Sequence, residues 1–233
     1  MKKLIMILMM VGLFSKVNAQ LNTNQKNLVT IAALTAKGDL VNLKTALNNG
    51  LDTGLTINQV KEAMVHLYAY CGFPRSLRGL QTLMEVIDER KAKGINDVWG
   101  ATASPINDNR SKYERGKAVL AKLTGVSQDG PKTGYAAFAP EIEIFLKEHL
   151  FADIFERDVL TYVERELVTI SVLASIGGVE PMLKSHLSIC LNIGLKPEQL
   201  HQFVNVVGLS VGEEKAKAAK TVLDEVLKNY KTN

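Results

Sequence analysis

Glu164-Arg165-Glu166-Leu167-Val168-Thr169-Ile170-Ser171-Val172-Leu173-Ala174-Ser175-Ile176-Gly177-Gly178, followed by Pro181 and His186, decides how the rest of the chain is read. Its pattern is a helix, a glycine break and a second helix carrying a histidine. A near copy lies 139 residues earlier, where Leu28-Val29-Thr30-Ile31, Leu34 and Gly38 anticipate Leu167-Val168-Thr169-Ile170, Leu173 and Gly177. After one inserted residue the offset becomes 140. It then pairs Leu43-Lys44 with Leu183-Lys184, Leu47 with Leu187, Gly54-Leu55 with Gly194-Leu195, Gln59 with Gln199 and Gly72 with Gly212. The period is far longer than a solenoid unit. Two such units in one chain predict a pseudo-twofold pair in which each buries the apolar stripe of the other.

Helical spacing governs the chain from Leu21 onward. Leu28, Ile31, Leu34 and Thr35 fall on one face of a first helix, which Gly38 stops. Asp39 is the N-cap expected for a second helix carrying Leu40, Leu43, Ala46 and Leu47, broken at Asn48-Asn49-Gly50 and Gly54. Thr56-Ile57-Asn58-Gln59 has the form of a capping box and starts a third helix through Tyr70. Cys71-Gly72-Phe73-Pro74 reads as a turn before a long amphipathic helix that runs to Lys93. Residues 94–109 read as a linker, Arg110 to Leu123 as a short helix and Thr124 to Tyr135 as loop. A helix from Pro140 is expected to bury Ile142, Phe145, Leu146 and Leu150. No stretch alternates as a strand does, so the fold class is all-α.

The first residues read as a targeting segment. Lys2 and Lys3 precede an apolar run from Leu4 to Phe14, and Val17-Asn18-Ala19 ends in a small residue, the three-part pattern of a secretory signal peptide. The run is shorter than the about 20 residues of a membrane-spanning helix. Cleavage after Ala19 and export to the periplasm or beyond are expected, leaving a mature form with no membrane segment. The chain has a formal charge of +4, which falls to about +1 without Lys2, Lys3 and Lys16, and that balance gives no footprint for nucleic acid. With 46% apolar residues a sizeable core is available, and two cysteines are too few for a disulfide framework.

Arg165-Glu166-Leu167-Val168-Thr169-Ile170, the glycine break, the helix with His186, Asn192-Ile193-Gly194-Leu195 and the helix opening Pro197-Glu198-Gln199 together resemble the carboxymuconolactone decarboxylase family. His66-Leu67-Tyr68-Ala69-Tyr70-Cys71-Gly72-Phe73-Pro74 resembles a later part of the same domain. The resemblance implies the helical fold shared with the alkylhydroperoxidase D proteins. It also implies a homo-oligomer, a trimer foremost, with sites near subunit contacts. It divides the chain into a leader at 1–19, a first repeat at 20–94, a linker at 95–112 and a second repeat at 113–233.

Glu166 and His186 are the candidate catalytic pair, matching the acid and the histidine of the peroxidase branch. Val179 and Met182 stand where that branch has its two cysteines, so a dithiol cycle lacks both its thiolate attacker and its resolving thiol. The resemblance therefore implies a lyase or isomerase on a small unsaturated carboxylated lactone or related ring compound, with no cofactor and no metal. Arg165 would hold a carboxylate by a forked contact, and Tyr70, His66 and Cys71 would line the substrate site. A thiol peroxidase using Cys190 or Cys71 is the alternative, since Cys190 lies one helical turn beyond His186. A non-catalytic binding or scaffold protein is the third reading, because the first repeat has Asn27 and Ala46 at the Glu166 and His186 positions. The competing reading of each candidate is structural: a helix-to-helix hydrogen bond for Glu166 and His186, a solvated ion pair for Arg165, ordinary packing for Tyr70 and His66, and an inert buried thiol for Cys190. His149 and His201 are expected at the surface.

Overall fold

The computed structural model describes residues 20–230, and the expected leader at residues 1–19 lies outside them. Two equivalent helices sit at the centre: α1 (Thr23–Lys37) and α7 (Tyr162–Ile176). Each is apolar nearly all round and is buried accordingly, α1 over Leu28–Ala36 except for Thr30 and α7 over Arg165–Ser175. They pack closely on each other. Around α1 lie α2 (Leu40–Asp52) and α3 (Ile57–Ala92). Around α7 lie α8 (Glu180–Asn192), α9 (Pro197–Val211) and α10 (Glu213–Tyr230). Between the two sets come α4 (Lys112–Thr124), two short helices α5 (Gly134–Phe138) and α6 (Pro140–Phe145), and a π-helical segment Leu146–Ile154. No strand occurs among the described residues.

The duplication is visible in three dimensions. One apolar cluster holds Leu167, Leu187 and Phe203 of the second repeat together with Leu21 and Val29 of the first. The other holds Leu28, Leu47 and Leu67 together with Leu160, Val168 and Val172. Leu21 and Leu160, and likewise Val29 and Val168, are equivalent positions at the 139-residue offset, so the exchange is reciprocal.

The long α3 bends sharply at Gly72, where φ is 81° and ψ 161°. Its counterpart Gly212 separates α9 from α10 at φ 109° and ψ 157°. That region of the backbone map is essentially reserved for glycine. The expected turn at Cys71–Pro74 is thus a single-residue kink, and Pro74 sits in the first turn beyond it, where its missing N–H costs nothing.

Two local expectations are corrected. Asn48-Asn49-Gly50 does not break α2, which continues to Asp52. Gly50 is there for close packing, since a Cβ would meet Leu55 and Ile31 side chains at 3.1 and 3.2 Å. After Pro140, Leu150 is buried, but Ile142 and Phe145 face solvent. A π-helical ladder begins at Leu146, and its wider turn shifts the register on which the predicted apolar face depended.

Candidate functional site

The second repeat places its pair by a helical hairpin. Thr161 caps α7 in a capping box with Glu164, which puts Arg165 and Glu166 just past the first turn. Gly177, at φ 73° and ψ 166°, ends the helix and lets the chain reverse. α8 then returns along α7 and sets His186 opposite Glu166, with Nδ1 of the imidazole 2.8 Å from Oε2 of the carboxylate. Glu166 is fully buried, whereas the His186 side chain keeps 14% of its surface exposed. Nδ1–H donates to the carboxylate, which leaves Nε2 as the free ring nitrogen. Among the described residues Nε2 has no hydrogen-bond partner. The second carboxylate oxygen, Oε1, is enclosed and also unpartnered.

The first repeat faces this pair with one row of α3. Glu62, His66 and Tyr70 follow at intervals of four and share a helix face. The Tyr70 ring meets His186 edge-on, with centroids 5.6 Å apart, and stands 5.5 Å from His66. Its hydroxyl is enclosed without a hydrogen-bond partner. Burial, and then the Glu166 carboxylate, push the phenol above its usual range, so it stays a neutral donor.

Behind Tyr70 runs a chain of charge-assisted contacts. Arg157 makes a forked contact with Glu62 at 2.8 and 2.9 Å. Arg165 donates to Glu62 at 2.7 Å and to the Arg157 carbonyl at 2.5 Å. Burial alone would raise the Glu62 carboxyl, but the hydrogen bonds from Arg157 and Arg165 outweigh it and hold it below its ordinary 4.5. Arg165 Nη1 also lies 3.3 Å from His66 Nδ1. A guanidinium only donates, so Nδ1 accepts and the proton of His66 is on Nε2, which donates to Thr169 Oγ1 at 2.8 Å. Burial, then the nearby Arg165 and His186, hold His66 well below its ordinary 6.5, so the ring is neutral.

The sequence expectations fare unequally. Glu166, His186 and Tyr70 come together. Arg165 is fully buried and engaged by Glu62, so it is neither solvated nor free to grip a substrate carboxylate. His66 has both ring nitrogens occupied and stands behind Tyr70 rather than lining a substrate surface. Cys71 turns to the Leu67 carbonyl at 3.3 Å, and burial pushes its thiol up to about 11. Cys190 is wholly buried in the apolar core, and burial followed by the Glu166 charge pushes its thiol well above the ordinary range. Neither sulfur is poised as a thiolate. His149 and His201 are exposed, as expected.

Glu62, Arg157 and Thr169 were missed. Glu62 lies four residues before His66 in an otherwise apolar stretch, a spacing that points to one shared face. Arg157, in a connecting segment far along the chain, carries no such mark.

Two surface hollows lie elsewhere. One of about 200 Å³ is lined by Leu173, Gly177, Gly178 and Lys215, and an open one of about 590 Å³ by Gly208, Leu209, Lys217 and Lys220. Neither includes Glu166, His186 or Tyr70, and neither holds a buried titratable pair. Among the described residues no cluster of three or more His, Cys, Asp or Glu side chains could hold a metal ion.

The model of the carboxymuconolactone decarboxylase family matches residues 3–85, which begin within the expected leader and run through most of the first repeat, and residues 140–225 in the second. Over 125 residues the chain is 26% identical to a 4-carboxymuconolactone decarboxylase of Acinetobacter baylyi, an alignment that covers 53% of this chain and 92% of that relative.

Proposed function

The chain belongs to the carboxymuconolactone decarboxylase family, and we propose that it is a cofactor-free lyase that decarboxylates a small unsaturated carboxylated lactone at the Glu166–His186 pair. The observation that carries this reading is the pair itself: a buried carboxylate fixes the imidazole tautomer at 2.8 Å and leaves Nε2 open. The similarity to a 4-carboxymuconolactone decarboxylase supports the choice of substrate class.

Loss of carbon dioxide breaks the bond between the ring carbon and its carboxylate. The electron pair moves through the substrate's own double bond onto the lactone carbonyl, giving an enolate. That delocalisation serves as the electron sink, so the chemistry asks the protein for three things only: a water-poor site, a donor to the enolate oxygen and a proton for carbon. Tyr70, held neutral by burial and edge-on to His186, supplies a phenol donor. His186 Nε2 takes a proton from solvent and delivers it to carbon, while Glu166 stabilises the imidazolium formed in passing. Carboxylate plus one proton gives product plus carbon dioxide, and the balance closes without an oxidant or reductant.

Conversion of carboxymuconolactone in heavy water tests this reading. Carbon dioxide release with one deuterium entering the product from solvent supports it. Absence of conversion by the purified wild type contradicts the assigned substrate. Export is proposed on the residue pattern of 1–19, and N-terminal sequencing of the protein from its host tests it: a start at Gln20 supports cleavage, and a start at Met1 contradicts it.

A further inference from the structure

Thr169 departs from the other buried hydroxyls of the two central helices. Thr35, Ser171 and Ser175 each donate to the carbonyl one turn back, at 2.7, 2.5 and 2.6 Å. Thr169 is fully buried and makes no such bond among the described residues. Its oxygen accepts from His66 Nε2–H at 2.8 Å instead. A buried donor left unpaired is costly, so the Thr169 proton needs an acceptor close by. The enclosed hydroxyl that lacks a partner on this side is that of Tyr70. Tyr70 and His66 stand one turn apart on α3, with ring centroids 5.5 Å from each other. Burial, and then the Glu166 charge, push the Tyr70 phenol up, whereas the Thr169 hydroxyl acts on it in the opposite sense.

The pseudo-symmetric position offers a comparison. Thr30 is equivalent to Thr169 at the 139-residue offset and Ser210 to Tyr70 at 140, and their hydroxyls meet at 3.3 Å. Val206 stands where His66 does, so no imidazole lies behind that pair. Gln202 stands where Glu62 does, and accepts from the Leu21 amide at 2.8 Å rather than from a buried guanidinium. A threonine facing position 70 or 210 thus belongs to the fold. The imidazole and the buried charges behind it occur only on the side that holds Glu166 and His186.

We propose that Thr169 is a positioning residue: with its oxygen held by His66, it donates to the Tyr70 oxygen and leaves the Tyr70 O–H to point at the reacting centre. The use made of Tyr70 rests on the decarboxylation reading, whereas the order of donors does not. Arg165 only donates, so His66 Nδ1 accepts and the imidazole proton goes from Nε2 to Thr169. The Thr169 proton then goes to Tyr70, and the Tyr70 proton is left for the enolate oxygen. Every donor along the line points away from the Arg165 charge, and hydrogen bonds in series strengthen one another. Thr169 and His66 act through Tyr70 without touching substrate.

NMR of protein carrying tyrosine labelled with 13C at Cζ reads hydrogen bonding at the phenol. Among the six tyrosines, Tyr70 is identified by the resonance missing from Tyr70→Phe. Thr169→Val keeps the shape of the side chain and removes its hydroxyl, whereas Thr169→Ser keeps the hydroxyl. The Tyr70 resonance is expected to move in Thr169→Val and to return in Thr169→Ser. With the lactone, Thr169→Val is expected to lower kcat about tenfold at unchanged KM, the worth of one neutral hydrogen bond, and Thr169→Ser to restore it. A Tyr70 resonance unmoved in Thr169→Val would overturn the relay. So would an equal displacement in Thr169→Ser, since shape and not the hydroxyl would then be acting. A moved resonance with kcat unchanged would overturn the positioning role. If wild type converts no lactone, the decarboxylation reading fails and the resonance alone decides the relay.

Discussion

His66 shows how much of this site is set by residues that touch no substrate. Arg165 fixes its tautomer and Thr169 accepts the hydrogen bond from its Nε2–H, while burial keeps the ring neutral. A histidine whose folded pKa is depressed leaves the unfolded chain binding more protons below the ordinary value, so stability falls as pH drops. The denaturation midpoint is therefore expected to decline from about 6.5 downward, and His66→Gln to flatten that slope; an unaltered slope in chemical denaturation series would contradict it. Glu62 adds a second loss below its ordinary 4.5, since its folded pKa is depressed as well. Removing it should weigh more heavily. Glu62→Ala leaves Arg165 buried without its counter-charge, a change that costs about 3–5 kcal/mol. Urea denaturation reads this directly, and a loss near zero would mean that water reaches the guanidinium. Glu166 and His186 were legible through the resemblance to the family, whose acid and histidine they match, and the structure sets them 2.8 Å apart across one hairpin. Arg165 reads as a surface residue when helices are scored for amphipathicity, and only the unbroken apolar run behind it signals a helix buried on every side.

Helices reveal themselves through their periodicity and caps, and the capping box at Thr56 and the N-cap at Asp39 stand where the sequence puts them. The errors arose where tertiary packing overrides local preference: Gly50 is retained inside α2 for close approach, and the π-helical segment re-aims Ile142 and Phe145. Gly72 is the element-scale residue that matters most, because the kink follows Tyr70 by two residues and sets its ring against His186. A Cβ there would meet only Pro74 at an ordinary 3.5 Å, so the backbone angles and not crowding demand glycine. Gly72→Ala should cost about 1–3 kcal/mol, and should lower turnover through Tyr70 without altering the Glu166–His186 contact. An unchanged melting temperature in this variant would show that the kink relaxes freely.

Across the whole molecule, the reciprocal exchange of Leu21 and Val29 for Leu160 and Val168 makes each repeat incomplete without the other. Residues 113–233 expressed alone should therefore lack cooperative thermal unfolding and regain it when residues 20–94 are supplied; cooperative unfolding of the isolated segment would contradict the shared core. The internal offset made this pairing legible before any coordinates, whereas the asymmetry between the repeats needed the structure. Only the second repeat holds the acid and histidine, and the first answers with Tyr70 rather than with a second copy of the pair. Asn27 and Ala46 leave the pseudo-symmetric position without titratable chemistry, so the proposed chemistry has one site per chain.

That claim is tested most directly by the rate of carbon dioxide release from carboxymuconolactone by wild type and by His186→Ala, measured side by side on samples of matched melting temperature and oligomeric mass. Loss of the proton-delivering imidazole is expected to slow turnover by about 10²–10⁴-fold. An unchanged rate in the variant would retain the activity and remove the Glu166–His186 pair from it.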